Sequence, residues 1–308
     1  MSEKFPALSL AEAHALLTRP GSLFEIEERD IRGVPMRVWK NAPPTMRDLF
    51  RLARSHGNKT FVVYGDERLS YEESVRAALA IAAALQEAGV KKGDRVAIAM
   101  RNLPEWPAAF FGCLLTGGIA VPLNAWWTGP ELQYGLNDSG AKVAIVDQER
   151  LERLFEHLQN CPALERVFVT RQPEDIAHPQ VTKLESVIGQ VSDWHSLPDR
   201  PLPDVPLDPE DDATILYTSG TTGKPKGAIG THRNSTTAVL VRPFGQARTL
   251  LAAASRCRRP IQMHRRNVRS WSCPCFIRPD VTRRWSHRSP PASNLCSCTS
   301  GTRNWRCS

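Results

Sequence analysis

No run of about 20 apolar residues, the length that a membrane-spanning helix needs, occurs in this sequence. The longest apolar stretch, 108–121, is broken by Thr116, Gly117 and Gly118 and closed by Pro122, which suits a buried helix running into a strand. Cysteine is sparse through residue 254, where only Cys113 and Cys161 occur, so a small disulfide-held scaffold is excluded. The opening Met1-Ser2-Glu3-Lys4-Phe5 lacks the basic segment and apolar core of a secretory signal. Internal repeats are missing, and so is the G-x-G-x-x-G fingerprint of dinucleotide sites. The expectation is a cytoplasmic protein with reduced thiols and no transmembrane segment, with peripheral membrane contact left open. What is present points to a folded chain: 308 residues, 41% hydrophobic and 23% charged, are enough to bury a large core.

The net charge of +8 hides a break. Residues 255–308 hold twelve arginines, no lysine and a single acid, Asp280, a surplus of eleven positive charges; residues 1–254 therefore carry a net of −3. Cys257, Cys273, Cys275, Cys296, Cys298 and Cys307 crowd the same segment. Three regions follow: a lead-in without strong pattern over 1–45, a regular region over 46–253, and an Arg/Ser/Cys-rich tail over 255–308.

From about Met46, helices and strands alternate. Ser70-Tyr71-Glu72-Glu73 has the spacing of a capping box, in which serine and glutamate satisfy each other's free backbone donors. Val75, Ala78, Leu79, Ala82 and Leu85 then recur at helical spacing and stop at Gly89. A tight turn, Lys91-Lys92-Gly93-Asp94, precedes a strand over 95–100. The same alternation predicts a helix over 105–115, a strand over 119–123, a helix from the capping box Thr128-Gly129-Pro130-Glu131 to Leu136, a strand over 142–146, a helix over 148–158 and a strand over 166–170. Strands separated by helices of this length pair in parallel through helical crossovers, so the expected fold class is α/β. The Pro- and Asp-rich stretch 172–211, with a weak apolar cluster at 184–191, reads as a surface connection.

Residues 213–218 read as a buried parallel strand, and they run straight into Ser219-Gly220-Thr221-Thr222-Gly223-Lys224-Pro225-Lys226-Gly227. A polyphosphate needs many donors at short range together with positive charge. Three glycines let backbone N–H groups approach the ligand, Ser219, Thr221 and Thr222 add hydroxyls, and Lys224 and Lys226 add charge. A polar surface turn would not need strand context, glycine spacing, hydroxyls and two lysines together. Walker A is excluded, because Thr218 stands where its first glycine belongs and Pro225 follows the lysine. His232 is expected to open the next helix, which includes 236–251, and not to act as a base. Trp126 and Trp127 are expected to pack, Asp94 to serve a turn and Glu105 a helix start.

The stretch from Tyr217 to Gly227 resembles the phosphate-binding signature of the adenylate-forming superfamily, which includes acyl-CoA synthetases, luciferases and peptide-synthetase adenylation domains. Gly93-Asp94-Arg95-Val96-Ala97-Ile98, Asn102-Leu103-Pro104-Glu105-Trp106 and Val121-Pro122-Leu123-Asn124 resemble its amino-terminal landmarks. The wording is most similar to fatty-acid and related acyl-CoA ligases, over about 46–253. The resemblance implies parallel-sheet layers with crossover helices, as in the amino-terminal part of the adenylate-forming fold. It also implies a two-step reaction on a small carboxylic acid, with ATP, Mg²⁺ and coenzyme A as co-substrates. Thr218, Ser219, Gly220, Thr221, Thr222, Gly223 and Lys224 match the family loop position by position and are assigned to ATP, with Lys226 as a more mobile electrostatic contributor. No catalytic or metal-ligating residue is assigned. An adenylation domain for amino or aryl acids is the alternative.

After about residue 253 the family pattern stops. The Gly-Tyr-Gly-x-Thr-Glu stretch, the ribose-gripping aspartate, the hinge and the carboxy-terminal lysine have no counterpart in this sequence, so an incomplete chain with little ligase turnover is expected. The lysine-free tail, rich in Arg, Ser, Cys and Pro, has the composition of a G+C-rich gene read out of frame. Cys273-Pro274-Cys275 and Cys296-Ser297-Cys298 have one-residue gaps, unlike the two- to four-residue spacing of zinc sites. The arginines would attract polyanions in a salt-dependent way, but no DNA- or RNA-binding motif accompanies them. A basic nucleic-acid-binding tail is the competing reading, and no specific nucleic-acid partner is expected.

Overall fold

The computed structural model describes residues 8–174, 176–218 and 223–253. In chain order the elements are α1 (Leu10–Thr18), β1 (Ile26–Ile31), β2 (Val34–Trp39), α2 (Met46–Arg54), β3 (Thr60–Tyr64), β4 (Glu67–Ser70), α3 (Tyr71–Glu87), β5 (Arg95–Ala99) and α4 (Glu105–Leu115). There follow β6 (Ile119–Pro122), α5 (Gly129–Ser139), β7 (Val143–Asp147), α6 (Gln148–Leu154), β8 (Arg166–Thr170), β9 (Val181–Lys183), α7 (Glu185–Ile188), β10 (Asp212–Thr218), β11 (Lys226–Thr231) and α8 (His232–Ala253). Seven strands form one sheet in the order β11-β10-β6-β5-β7-β8-β9. Six are parallel, and β11 alone runs antiparallel, at the edge beside β10. The α/β expectation therefore holds, with one antiparallel strand added.

Alternation along the central strands decides the layering. Val96 and Ile98 of β5 and Val143 and Ile145 of β7 pack with Leu79, Ile81 and Leu114 of α3 and α4. Ala97, Ala99, Ala144 and Val146 face the other way, against Leu132 and Leu136 of α5 and Leu151 and Leu154 of α6. Successive strand side chains point to opposite faces, so a stretch buried on both sides must be apolar, as β5 is over 96–99 and β7 over 143–146. The two capping boxes read from the sequence are formed, at Ser70/Glu73 and Thr128/Glu131.

Several expectations need correction. The lead-in 1–45 is not patternless among its described residues. Ser9 and Glu12 form a third capping box at α1, and β1 and β2 make an antiparallel hairpin. The helix expected to end at Leu136 continues to Ser139, and that expected over 148–158 stops at Leu154 and tightens into a 3₁₀ segment, Phe155–Asn160. The stretch 172–211 is not merely a surface connection. Its β9 pairs with β8, and Leu184, Ile188 and Trp194 insert into the core under α3. Ala213 and Thr214 of β10 are buried, but Leu216 and Thr218 are exposed, so the strand is sunk only at its start. It meets β6 at Thr214↔Ala120 alone, and its remaining ladder goes to the edge strand β11.

Among the described residues, no helix is long and apolar enough to cross a membrane. Cys113 and Cys161 are buried free thiols, and burial pushes both up from the ordinary cysteine range. The tail residues discussed above, including its cysteines, lie outside the described residues.

Candidate functional site

The predicted loop joins β10 to β11. Because β10, β6 and β5 are parallel, it leaves the sheet on the edge where the carboxyl ends of these strands lie, the edge on which open α/β sheets bind ligands. Four of its eight predicted residues are described: Thr218, Gly223, Lys224 and Lys226. Ser219, Gly220, Thr221 and Thr222 lie outside the described residues. Thr218 and Lys226 face each other across the last rung of the hairpin, and the Thr218 hydroxyl donates to the Lys226 carbonyl at 3.4 Å. Gly223 has a φ of +139°, which side-chain-bearing residues rarely adopt. Lys224 and Lys226 are both exposed, so two ammonium groups flank the loop without burial. The Lys224 Nζ lies 5.1 Å from the centre of the Tyr134 ring.

Close packing below the loop accounts for another residue of the signature. A Cβ on Gly227 would stand 2.6 Å from Ile215 Cγ2 and 3.4 Å from Tyr217 Cζ, so only glycine lets these two side chains cross the facing strand. The Tyr217 ring packs edge-on against Trp127 at 5.6 Å, which ties the strand before the loop to the buried face under α5. Its hydroxyl donates to Asp138 Oδ2 at 2.6 Å. Burial and then the Asp138 carboxylate push the Tyr217 phenol well above its usual range, so it remains a proton donor.

Other residues singled out from the sequence sit elsewhere. His232 does open α8, and its backbone N–H bonds the Asp211 carbonyl, at the start of β10. It is therefore at the opposite end of the strand from the loop. Its surroundings tune it: burial lowers its pKa, opposed by Asp211 and reinforced by Arg47 and Lys92. Trp127 packs as expected, whereas Trp126 is 66% exposed, with the Arg101 guanidinium 4.1 Å over its ring. Asp94 serves its turn, accepting from the Lys91 N–H at 2.9 Å. Glu105 does more than start a helix: it is buried and paired with Arg171, at 2.7 Å, whose other nitrogens grip Glu67 of β4. Among the described residues, no group of three or more His, Cys, Asp or Glu side chains is placed to hold a metal ion. No local spacing in the sequence links Tyr134 and Asp138, which reach the loop stems from α5, to a motif some 80 residues downstream.

Residues 49–255 match the family described as AMP-binding enzyme. The chain belongs to that family. Among curated AMP-binding relatives, it is 34% identical over 222 residues to a long-chain-fatty-acid–CoA ligase of Escherichia coli O6:H1 (strain CFT073), covering 65% of this chain and 39% of that protein. It is 35% identical over 186 residues to a feruloyl-CoA synthase of an Amycolatopsis species, covering 60% of this chain and 33% of that one. The crystal structure of an anthranilate CoA ligase in complex with anthranoyl-AMP superposes with a TM-score of 0.55 at 28% identity, over 64% of this chain and 36% of that one. The matched region thus spans well under half the length of these two curated relatives.

Proposed function

We propose that the β10–β11 loop holds the β- and γ-phosphates of Mg·ATP in an ATP-dependent carboxylate–CoA ligase. Thr218, Ser219, Gly220, Thr221, Thr222, Gly223 and Lys224 contact the polyphosphate, and Lys226 adds longer-range charge. In the first step a carboxylate oxygen of the acid attacks the α-phosphorus, and the bond to the bridging oxygen of pyrophosphate breaks. In the second, the thiol of coenzyme A attacks the acyl carbonyl, loses its proton and displaces AMP. The loop's contribution is electrostatic: fixed donors and two ammonium groups stabilise negative charge building on the departing pyrophosphate. Mg²⁺ would arrive with the nucleotide and be held mainly by its oxygens.

One observation carries this reading: two exposed lysines and a positive-φ glycine lie on a loop at the carboxyl edge of a parallel sheet, within the AMP-binding match. Fatty-acid ligases among the relatives support a fatty acid as substrate. Feruloyl-CoA synthase and the anthranilate ligase support an aryl acid as the second reading. Mg·ATP affinity is the direct test of the loop assignment. Titration calorimetry should show Mg·ATP binding that Lys224→Ala weakens about tenfold, the loss of one charge-assisted contact. Equal binding by the variant would overturn the loop assignment. A pyrophosphate-release assay with CoA and panels of fatty and aryl acids then separates the two substrate readings.

A further inference from the structure

A phosphate-binding loop is useful only if its two stems are held at a fixed separation, since a donor array that spreads loses several contacts at once. The hairpin ladder holds the stems to each other, but among the described residues β11 is the sheet's edge strand and has no second neighbour in the sheet. A separate set of contacts comes from α5. Tyr217, the residue before Thr218, donates its hydroxyl proton to Asp138 Oδ2 at 2.6 Å. On the other stem, the Tyr134 hydroxyl bonds the Pro225 carbonyl at 3.0 Å and lies 3.3 Å from Asp138 Oδ1. Each phenol has a single proton to give. Tyr217 gives its proton to the carboxylate, and that of Tyr134 serves the shorter of its two contacts, the Pro225 carbonyl. Asp138 thus fixes the entering stem and Tyr134 the leaving one, four residues apart on the same face of one helix.

The platform is rigid. A capping box closes the amino-terminal end of α5, Leu132 and Leu136 are buried in the core, and the Ser139 hydroxyl bonds the Gly135 carbonyl at 2.6 Å. The Tyr134 ring also lies 5.1 Å from the Lys224 ammonium, a cation–π contact between the same helix and a charged side chain of the loop.

We propose that Tyr134, Asp138 and Tyr217 form a latch that fastens both stems of the loop to α5, making them positioning residues for the polyphosphate of the nucleotide. This rests on the ATP reading of the loop. The test uses the full chain with two probes, Mg·ATP and magnesium pyrophosphate. Tyr134→Phe keeps the ring under Lys224 and removes only the hydroxyl, and Asp138→Ala removes the other anchor. Each should weaken both probes about fivefold, the loss of one hydrogen bond, with an unchanged melting temperature. Asp138→Asn, which keeps a carbonyl acceptor for Tyr217, should recover most of the affinity. Tryptic cleavage after Lys226, suppressed by Mg·ATP in the parent, should become several-fold faster in Tyr134→Phe. If the parent binds Mg·ATP and Lys224→Ala weakens it while the α5 variants bind normally, the latch is overturned and the loop assignment stands. If the parent binds neither probe, both fall.

Discussion

A buried histidine away from the loop makes a pH-dependent prediction. His232 is 1% exposed, and its Nδ1 accepts from the Met46 N–H at 3.3 Å, so the fold holds a neutral ring in place. Burial outweighs the attraction of Asp211 and Asp48, and Arg47 and Lys92 add to it, so the pKa lies below the ordinary 6.5. A proton that binds only after unfolding favours the unfolded chain. This contribution to stability is fully present above pH 6.5 and is lost as the pH falls from there toward the folded-state pKa. His232→Asn retains an acceptor near the same place and cannot titrate. The melting temperature of the parent should fall between about pH 7 and pH 5, and the variant's should fall less steeply. Parallel profiles would remove His232 from the acid response.

At the scale of elements, the sheet depends on a carboxylate at the carboxyl end of β7. Asp147 accepts from the Arg150 N–H at 3.1 Å to cap α6, and from the Arg101 N–H at 2.9 Å to hold the end of β5. It also pairs with the Arg150 guanidinium, whose side chain is 1% exposed. Asp147→Ala would uncap the helix and leave that guanidinium buried with the Ala125 carbonyl and the half-exposed Glu149 carboxylate as its partners. The expected loss in urea unfolding is about 3–5 kcal/mol, with a smaller loss for Asp147→Asn, which keeps the acceptor. A loss below about 1 kcal/mol for the alanine variant would show that water satisfies Arg150. Asp147 also marks what the sequence made legible. Ser70/Glu73 and Thr128/Glu131 could be read because both partners lie within one helical turn, and β5 and β8 because burial on two faces forces apolar runs. The equivalent signature at Ser9/Glu12 is not legible in the same way, because its helix has only one buried residue, Ala13, and so no apolar stripe. Three-residue β9 has no local signature at all: it is a strand because β8 lies beside it. The loop signature was legible as an ordered string, whereas its α5 contacts arise only when the fold brings Tyr134 and Asp138 to Tyr217 and Pro225.

At the scale of the molecule, the lead-in and the last described helix form one unit, although more than 200 residues separate them in sequence. Phe244 of α8 meets Trp39 of β2 at 5.1 Å, Phe24 at 5.4 Å and His14 of α1 at 5.4 Å between ring centres. Leu240 and Ala247 extend the same face by one turn in each direction. This cluster is separate from the two cores that flank the sheet, so the hairpin β1–β2 and α1 depend on it for burial. It also bears on the candidate site, since α8 follows β11 without an intervening loop and anchors the far end of the strand that carries Lys226. Phe244→Ala would empty the centre of the cluster, at a cost of about 3–5 kcal/mol, and Phe244→Leu, which keeps most of the volume, should cost under about 1.5 kcal/mol. Limited chymotrypsin digestion locates the loss. In the alanine variant, cleavage at Phe24 and Trp39 should precede cleavage within the sheet, because the lead-in detaches while the flanking cores remain. Simultaneous cleavage throughout would instead mean that α8 and the lead-in are integral to the sheet's own stability.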